Sequence, residues 1–518
     1  MFKTIKALSL LLTLLLLLTS CDLSSVLPDR DDGVKPDGTC TEHLDAEDNG
    51  LCDVCNISLF VSIDFYALND LHGKFDDTTN NEGVDELTTY LKQMSETDDN
   101  FVLLSSGDMW QGSSESNLTK GLIMTEWMNE LDFVSMTLGN HEFDWGEEYI
   151  EANADIAEFP FLAINIYDRK TNQRVDYCEA STVIERDGIQ IGIIGAIGDC
   201  YSSISADKTT GIYFKTGPDL TNLVKAEAQR LRDEGVDYIV YSVHDGFESN
   251  KNNDYYASNS DISGYYQPVL SDGYVDLVFE GHTHKKYVLI DQDGVYHMQN
   301  GGENQGISHV EVRINSVTNT AKISEAEIIS SKTYTKCSDD PLVDNLLEKY
   351  NDVISQANIV LGQNDRYRDD EEVEALVAKL YFEAGYKKWG STYDIVLGGG
   401  FIKTRSPYNL KSGTIKYSDL QSILPFDNEI VLCTIKGSDL LRKFINTDNS
   451  DYFVFYGEYG NSVKNSIDAS ATYYIICDTY TSSYKYNNLT VVDTYAPDVF
   501  ARDLVAEFIK NGGWTTAK

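Results

Sequence analysis

The stretch FVSMTLGNHEFD, residues 133–144, joins an apolar run to a turn that is rich in polar residues. The run FVSMTL has the length and apolar character of a buried strand. Gly139 follows it, and then come Asn140, His141 and Asp144, an order that neither continues a strand nor begins a helix. Polar residues at one strand end mean little alone, so the interpretation depends on how the other strands end.

Short polar segments also follow four other apolar runs, which read VSIDFYAL, FVLLSS, DYIVYSV and VDLVFE. These segments are NDLHG, GDMW, HDG and GHTH, and with GNHEFD they hold five of the eight histidines. In α/β folds, loops at the carboxyl ends of the strands carry the ligand site. Amphipathic helical stretches lie between some of the runs, so we predict a layered α/β domain with such a site. Its candidate residues are Asp70, His72, Asp108, Asn140, His141, His244, His282 and His284.

The donor types in these segments are those of a reactive metal site. Carboxylate, imidazole and amide groups without thiolate suit divalent ions such as Zn, Mn, Fe, Co or Ni. A closed structural zinc site would favour cysteine. Asp70 and His72 lie two residues apart, as do His282 and His284, so each pair shares one face of an extended segment.

The motif order D-x-H, G-D, G-N-H-E, H-x-G and G-H-T-H resembles that of the calcineurin-like metallophosphoesterases. The segments NDLHG and GNHEFD, followed along the chain by a second domain, resemble those of the bacterial and extracellular 5′-nucleotidases. The resemblance runs from about Phe60 to the C-terminus. It implies a layered αββα sandwich followed by a smaller α+β C-terminal domain that binds substrate.

The resemblance also implies a centre of two divalent ions. One ion would be held by Asp70, His72 and His284, the other by Asn140, His244 and His282, with Asp108 bridging both. A carboxylate has two oxygens and can link cations ~3.5–4 Å apart. Such a pair makes hydroxide available near neutral pH, and the resemblance implies this hydroxide as the nucleophile.

His141 has a separate role in this interpretation. Asn140 offers a neutral oxygen to an ion, so the next side chain faces another way and is predicted to reach the substrate phosphate. There it can stabilise charge or protonate the departing alkoxide. Asp144 lies three residues on, where it can reach the imidazole and favour its protonated form. The resemblance implies the same His–Asp dyad.

The second region matches the family less closely. The family places a phosphate-binding arginine directly after a glycine-rich turn, but here Gly398–Gly400 is followed by FIKTR. Arg405 is the candidate phosphate contact because its planar fork suits oxyanions. Lys403 is the alternative, and a plain turn with solvated cations is another.

Three further residues are substrate candidates by resemblance. Phe426 of LPFDN would stack on a base with Asn428 beside it, although a core role for Phe426 is an alternative. Tyr480 is the candidate for a second aromatic contact. Arg366 and Arg368 lie where the family has a phosphate-binding pair, with a different spacing.

The first 20 residues have the pattern of an export signal, with Lys3 and Lys6 before a leucine-rich core. The segment LTSC ends in Cys21 and resembles the lipobox of bacterial lipoproteins, which implies a lipid on that cysteine and a tether after it. A plain secretory signal is the alternative. We therefore predict an exported lipoprotein at the cell surface or on the periplasmic side of the membrane.

The segment CTEHLDAEDNGLCDVC places Cys40 and His43 before Cys52 and Cys55. Two chelating pairs separated by a turn suit one structural zinc ion. Oxidation of Cys52 and Cys55, or a calcium-like loop at residues 45–49, are the alternatives. The remaining cysteines are scattered and are predicted to be buried thiols; they are Cys178, Cys200, Cys337, Cys433 and Cys477.

Chain length limits the number of domains, and net charge limits the kinds of partner that the protein can bind. The 518 residues allow several domains, and we predict a signal peptide (1–20), a tether with the Cys/His segment (21–57), a phosphoesterase domain (58–335), a linker helix (336–360) and a substrate-binding domain (361–518). The chain has 41 Lys and Arg against 83 Asp and Glu, a net charge of −42. Such a surface repels nucleic-acid polymers.

We therefore predict a dimetal hydrolase that releases phosphate from small extracellular nucleotides. A 2′,3′-cyclic-nucleotide phosphodiesterase or a UDP-sugar hydrolase is the alternative within the same chemistry. A non-catalytic surface binding protein on the same fold is the alternative from another class. The sequence does not determine the preferred base, the metal identity or the oligomeric state.

Overall fold

The computed structural model describes twelve segments of the chain, and all structural statements below concern them: residues 43–46, 49–53, 55–75, 83–247, 254–258, 273–291, 293–400, 409–442, 454–456, 467–483, 488–496 and 499–513. The predictions for the signal peptide, Cys21, Cys40, Lys403 and Arg405 concern residues outside these segments.

Fifteen described strands lie in the first part of the chain, and seven follow in the second. The first fifteen are β1 (Phe60–Leu68), β2 (Phe101–Ser105), β3 (Ser135–Thr137), β4 (Phe161–Leu162), β5 (Ile166–Asp168), β6 (Ser181–Arg186), β7 (Ile189–Ile197), β8 (Ile212–Phe214), β9 (Tyr238–His244), β10 (Asp254–Ser258), β11 (Leu277–Glu280), β12 (Lys286–Ile290), β13 (Tyr296–Asn300), β14 (Gly306–Asn315) and β15 (Ala321–Ser330). The other seven are β16 (Val360–Asn364), β17 (Ile395–Gly400), β18 (Gly413–Lys416), β19 (Ile430–Lys436), β20 (Val454–Tyr456), β21 (Thr472–Asp478) and β22 (Thr490–Thr494).

Thirteen α-helices and four 3-10 helices connect the described strands. The α-helices are α1 (Asp85–Thr97), α2 (Ser114–Thr119), α3 (Leu122–Asn129), α4 (Glu147–Ala154), α5 (Pro218–Asp233), α6 (Ser331–Tyr334), α7 (Pro341–Lys349), α8 (Asn351–Ile354), α9 (Asp370–Trp389), α10 (Tyr417–Ile423), α11 (Gly437–Leu440), α12 (Thr479–Ser483) and α13 (Ala501–Lys510). The 3-10 helices are His141–Phe143, Asp199–Ser203, Ala206–Thr209 and Ser355–Asn358. None of the described helices combines the length and apolar character that a membrane span requires.

Two large sheets form the first domain. One has the order β15-β14-β1-β2-β3-β4 and the other the order β10-β12-β13-β11-β9-β7-β6. The strands β1, β2, β3 and β4 pair in parallel, and so do β7, β9 and β11. All five apolar runs predicted as strands are confirmed, as β1, β2, β3, β9 and β11. Parallel pairing brings their carboxyl ends to common edges.

The sheets pack face to face, with helices on both outer faces. Phe65 of β1 meets Phe279 of β11 across the sandwich, with ring centroids 6.5 Å apart, and Val102 and Val240 are buried in the same core. The outer face of the first sheet is covered by α1 and α3. The outer face of the second is covered by α5, whose buried residues repeat every three to four positions. The predicted αββα order is confirmed.

The link to the second domain differs from the prediction. We expected one long helix over DPLVDNLLEKYNDVISQAN, but α7 ends at Lys349 and α8 begins at Asn351. The backbone leaves helical geometry at Tyr350, with φ −96° and ψ 8°. Tyr350 donates a hydrogen bond from its hydroxyl to Glu126 of α3, 2.9 Å away. We attribute the break to this packing against α3, which periodicity alone does not reveal.

The second domain is a five-stranded sheet with the order β20-β17-β21-β19-β22 and a separate two-stranded ribbon, β16-β18. Its strands are mostly antiparallel, and only β17 pairs in parallel with β21. The helices α9 and α13 pack on one face of the sheet, around Ile476. This is the α+β arrangement that the resemblance implied.

The scattered cysteines follow the prediction with one exception. Cys178, Cys200, Cys433 and Cys477 are buried thiols, but Cys337 is disulfide-bonded, so the prediction of a thiol there is wrong. A disulfide requires two distant segments to bring their Cα atoms within about 7 Å, and spacing along the chain does not show which segments meet.

Candidate metal centre

The predicted ligands come together at the carboxyl ends of the two sheets. Their donor atoms form overlapping groups within which all donors lie no more than 4.8 Å apart. One group joins Asp70, His72 and His284, and a second joins Asp70, Asp108 and His244. Asp70 therefore links the two groups. The segments that contribute them lie far apart in the chain, with 212 residues between the positions of His72 and His284.

The first group has the geometry of ligands around a single cation. The Nε2 atoms of His72 and His284 lie 2.9 Å apart, and Oδ1 of Asp70 lies 3.2 Å from Nε2 of His284. His72 uses its other ring nitrogen, Nδ1, to donate to the carbonyl of Gln111 at 3.1 Å. That bond leaves the Nε2 lone pair directed at the cluster, as second-shell bonds to metal-binding histidines do.

The second group is built around Asp108 and His244. Nδ1 of His244 donates to the carbonyl of Ser106 at 2.6 Å, and Nε2 lies 3.1 Å from Oδ2 of Asp108. The ring of His282 lies 5.6 Å from that of His244. Burial raises the pKa of Asp108, but the charges of His244 and His141 outweigh it, so its pKa lies below the usual range. Asp108 is thus kept as a carboxylate.

Two buried oxygens support the fit of a cation. Oδ1 of Asp70 and Oδ1 of Asn140 are buried and accept no hydrogen bond from any described residue. A buried acceptor without a partner costs about 1–3 kcal/mol. Both residues were predicted as ligands, one to each ion. The donor set of carboxylate, amide and imidazole therefore fits divalent metal ions.

Backbone strain is concentrated at the ligands. Left-handed φ values occur at five of the seven predicted ligands: Asp70 at 51°, His72 at 54°, Asp108 at 56°, His282 at 70° and His284 at 53°. Each such residue outside glycine costs on the order of 1–3 kcal/mol and persists where the surroundings demand it. These left-handed conformations lower the stability of the fold, and they direct the five side chains toward one place.

Gly139 shows how tightly the loops approach each other. A Cβ atom at this position would lie 2.3 Å from Oδ1 of Asp108 and 2.9 Å from the ring of His244. No side chain fits there, so the glycine that precedes Asn140 allows the third strand end to contact the second.

Glu142 braces the centre, although it was not among the predicted site residues. Its fully buried carboxylate accepts four backbone N–H groups. Oε2 accepts from Gly139 at 2.7 Å and Asp108 at 2.9 Å, and Oε1 accepts from Met109 at 2.9 Å and Trp110 at 3.3 Å. The only sequence signal was its place between His141 and Phe143.

The predicted dyad is present in the described geometry. Nδ1 of His141 lies 2.7 Å from Oδ2 of Asp144, and the backbone N–H of His141 donates to Oδ1 of Asp108 at 2.8 Å. Burial lowers the pKa of His141, but the charges of Asp144 and Asp108 outweigh it and raise the pKa to about 9. The imidazole is half-buried beside the ligands, so it can hold a proton close to the centre.

Cys200 is a second residue at the centre that was not predicted from its sequence context. Its donor atom groups with those of His244 and His282, and its thiol donates to the carbonyl of His244 at 2.9 Å. Burial raises the pKa of this thiol well above its usual value. We expected no sulfur at this centre, and no motif near residue 200 predicts one, because β7 brings it there only in the folded chain.

Of the described substrate candidates in the second domain, Phe426 contacts the centre. The ring of Phe426 stacks on the imidazole of His141, with centroids 5.8 Å apart and an interplanar angle of 18°. Asn428 accepts a hydrogen bond from Thr479 at 3.4 Å, next to Tyr480. Tyr480 lines a cavity of about 370 Å³ between the two domains, together with Tyr201.

The arginine pair of the second domain serves local structure. Arg366 pairs with Glu372 through both terminal nitrogens, at 2.6 and 2.8 Å. Arg368 is buried and donates to Asn364 and Asp365, each at 3.0 Å. These contacts hold the start of α9, so the geometry offers no support for a phosphate contact by either residue.

An ion pair joins the two domains beside Phe426. Nζ of Lys120, in the first domain, lies 2.7 Å from Oδ2 of Asp427. Asp427 also pairs with Arg502 of α13. Burial raises the pKa of Asp427, but Arg502 and Lys120 outweigh it and hold the pKa below its usual range. This pair fixes the loop that carries Phe426 against the first domain.

Two family models match the chain. Residues 63–286 match the calcineurin-like phosphoesterases, and residues 353–473 match the 5′-nucleotidase C-terminal domain. The first match covers all seven predicted metal ligands and both dyad residues. The second covers Phe426 and Asn428.

Similar proteins include an endonuclease named YhcR from Bacillus subtilis, 26% identical over 426 residues, and protein UshA from Yersinia enterocolitica, 24% identical over 412 residues. The alignments cover 76% and 71% of this chain, and 33% and 72% of those proteins. The crystal structure of a 5′-nucleotidase precursor from Thermus thermophilus has the same fold, with a TM-score of 0.66 and 17% identity, covering 88% of this chain and 97% of that one.

Proposed function

Because this chain belongs to the calcineurin-like phosphoesterases and carries a 5′-nucleotidase C-terminal domain, we propose that it releases phosphate from small nucleotides at a centre of two divalent metal ions. The observation that carries the proposal is the convergence of Asp70, His72, Asp108, His244 and His284 into overlapping donor groups. The buried Oδ1 atoms of Asp70 and Asn140, which accept no hydrogen bond from the described residues, support it because a cation would satisfy both.

In this proposal Asp70, His72 and His284 would hold one ion, Asn140, His244 and His282 would hold the other, and Asp108 would serve both. When bound, two such ions acidify a water molecule and neutralise charge on the phosphoryl oxygens. The chain contributes the rigid placement: Ser106 and Gln111 orient two of the imidazoles, and Glu142 holds the loops that carry Asp108 and Asn140.

His141 is the group that would deliver a proton to the leaving oxygen. Its Nδ1 is taken by Asp144, so Nε2 is the atom that can face substrate. Burial lowers the pKa of His141, but Asp144 raises it, which favours the protonated imidazole that a general acid needs. Asp144 acts through His141, by orienting the ring and stabilising its charge.

Phe426 and Asn428 would recognise the organic part of the substrate. Phe426 already lies parallel to His141, so an aromatic base can replace that contact without a change in ring orientation. Arg405 remains the candidate phosphate contact from the sequence. The net charge of −42 argues against polymeric nucleic acid as the substrate of this chain.

From the export-signal and lipobox pattern we propose that this activity lies outside the cytoplasmic membrane and that Cys21 carries the lipid. A Cys21→Ser variant should then leave the membrane fraction, because one anchor cysteine is the predicted contact with lipid.

Phosphate release should be measured with AMP, UMP, UDP-glucose, ATP and 2′,3′-cyclic AMP, in Mn²⁺ or Co²⁺ and again in excess chelator. Preferential turnover of nucleoside monophosphates, abolished by chelator, is expected. Preference for the cyclic or sugar nucleotide would select the alternative hydrolase. Inactivity toward all five and toward an aryl phosphate would leave only the binding protein.

The His141→Ala variant tests the dyad. We expect turnover to fall by roughly 10²–10⁴-fold, the range for loss of a general acid. Bound metal, measured by elemental analysis, should stay at the wild-type level because His141 is not a ligand. Unchanged turnover, or lost metal, would contradict the proposed role.

A further inference from the structure

A second group of metal-binding side chains lies at the opposite end of β1. Nδ1 of His43 is 3.4 Å from Sγ of Cys52 and 3.6 Å from Sγ of Cys55. All three donor atoms lie within 4.8 Å of one another. Neither cysteine is in a disulfide. The nine residues of β1 separate this group from Asp70, a distance of roughly 30 Å along an extended strand.

Backbone hydrogen bonds give this segment the shape of a knuckle. The N–H of Asn56 donates to the carbonyl of Cys52 at 2.8 Å, which closes the turn between the two cysteines. The N–H of Asp53 donates to the carbonyl of Leu44 at 2.8 Å, so the segment that contains His43 lies beside the cysteine turn. The two sulfurs are thereby held on one side of the imidazole.

Asp45 anchors this knuckle to the first domain. Its buried carboxylate accepts from the N–H groups of Asn49 at 2.9 Å and Gly50 at 2.7 Å, and from the side-chain amide of Asn315 at 2.6 Å. Asn315 is fully buried at the end of β14. Oxygens committed to these donors favour a turn anchor at Asp45 over the calcium-like loop.

Gly50 shows how closely the knuckle lies on β1. A Cβ atom there would fall 1.8 Å from the ring of Phe60, and its φ is 78°. The N–H of Leu59 donates to the carbonyl of Gly50 at 2.9 Å. The knuckle therefore packs directly on the first residue of the central strand.

We propose that His43, Cys52 and Cys55 hold a structural zinc ion that stabilises the segment before β1. Thiolate and imidazole ligands select zinc over the hard cations. A segment this small has little apolar core, and metal binding supplies free energy to fold it. Cys40, a predicted fourth ligand, lies outside the described residues, so the proposal rests on the other three.

The site differs chemically from the phosphoesterase centre, which makes the test specific. Zinc per chain should be measured in the full chain and in a Cys52→Ser/Cys55→Ser variant. A drop of about one equivalent is expected, because a structural site binds one ion. A Cys178→Ser variant, which removes a buried thiol elsewhere, should keep the wild-type content. Nucleotide hydrolysis should be the same in all three proteins.

Substitution with Co²⁺ gives a second readout. The wild-type protein should show the sulfur-to-cobalt charge-transfer absorption of thiolate ligands, and the double variant should lose it. A His43→Ala variant should weaken the band even if the double variant does not fold. Equal zinc in wild type and double variant, calcium in place of zinc, or a Cys52–Cys55 disulfide found by mass analysis under non-reducing conditions would each overturn the proposal.

Discussion

At the scale of single residues, the candidate metal centre combines strained backbone conformations with hydrogen bonds that hold them in place. Five ligands adopt left-handed φ values, which the chain tolerates only where neighbouring contacts hold them. Glu142 is the residue that makes several of those contacts, because its two oxygens each accept two backbone N–H groups. We infer that Glu142 positions Asp108 and Asn140 without touching substrate.

Replacing Glu142 with Gln tests this brace. The amide nitrogen would face two backbone N–H groups, and two buried donors left unpaired cost about 2–6 kcal/mol together. Urea denaturation of the chelated protein should show a loss of this size. Metal affinity, measured by calorimetry, should fall about 10–100-fold, as for other residues that orient ligands.

The exposed Glu148 offers a matched control six residues further on. A Glu148→Gln variant should behave as wild type in both measurements. If Glu142→Gln also bound metal with wild-type affinity, the positioning role would be refuted, whatever its effect on stability.

At the scale of elements, the strand ends carry the candidate functional residues of both domains. In the first domain they hold the candidate metal ligands. In the second, β21 ends at Asp478, whose carboxylate accepts the N–H of Thr481 at 2.7 Å and so caps α12, the helix of Tyr480. Burial raises the pKa of Asp478 to about 6. A carboxyl group that is harder to ionise in the folded state makes stability depend on pH.

The sign of this dependence follows from proton binding. Between about pH 4 and pH 6 the folded chain holds a proton on Asp478 that the unfolded chain has lost, so this group lowers stability as pH rises. An Asp478→Asn variant keeps a capping oxygen but cannot ionise. It should match wild type near pH 4 and exceed it by up to about 3 kcal/mol above pH 6.

Urea unfolding of both proteins at several pH values checks this prediction. The quantity to compare is the difference in unfolding free energy between variant and wild type, because other carboxylates titrate equally in both. A difference that does not grow between pH 4 and pH 7 would show that Asp478 is ionised in the folded chain.

At the scale of the whole molecule, the candidate site contains residues from two domains. Phe426 stacks on His141, and the adjacent Asp427 pairs with Lys120, 307 residues away in the chain. We call this contact between Lys120 and Asp427 the seam. Lys120 also lies over the rings of Trp145 and Tyr149. The seam therefore couples the loop of Phe426 to the helix that follows the dyad.

A Lys120→Gln variant should loosen this seam while keeping the length of the side chain. Asp427 keeps Arg502 as a partner, so the loss should be modest. We expect the KM for AMP to rise roughly 3–10-fold, equivalent to about 0.7–1.4 kcal/mol. Hydrolysis of glycerol phosphate, which has no base to stack on Phe426, should change less than twofold.

The control for this variant is Lys379→Gln, which removes a partly exposed i,i+4 pair within α9. Surface pairs of this kind contribute little, so KM should stay at the wild-type value. Equal changes with AMP and glycerol phosphate would show that the seam does not act through base recognition.

Many features of the fold and of the candidate site could be predicted from short segments of the sequence. The five strands and the residues after them were predicted because hydrophobic periodicity and side-chain chemistry are properties of short segments. The αββα order, the phosphoesterase family and the class of metal-dependent phosphoric ester hydrolase are confirmed by the fold and the family matches. Domain boundaries and the lipid anchor stay predictions.

Other features depend on which distant segments meet. The role of Glu142 becomes visible only in the folded chain, where four backbone N–H groups donate to it. Cys200 is one of nine cysteines in the sequence, and only the fold places it beside His244, at the end of β7. The disulfide of Cys337, the break at Tyr350 and the Lys120–Asp427 seam are of the same kind. Local sequence determines which donors the chain offers and where strands end, because those choices depend on neighbouring residues. Only the tertiary structure decides which donors share a site, because that depends on packing between segments that the sequence order keeps far apart.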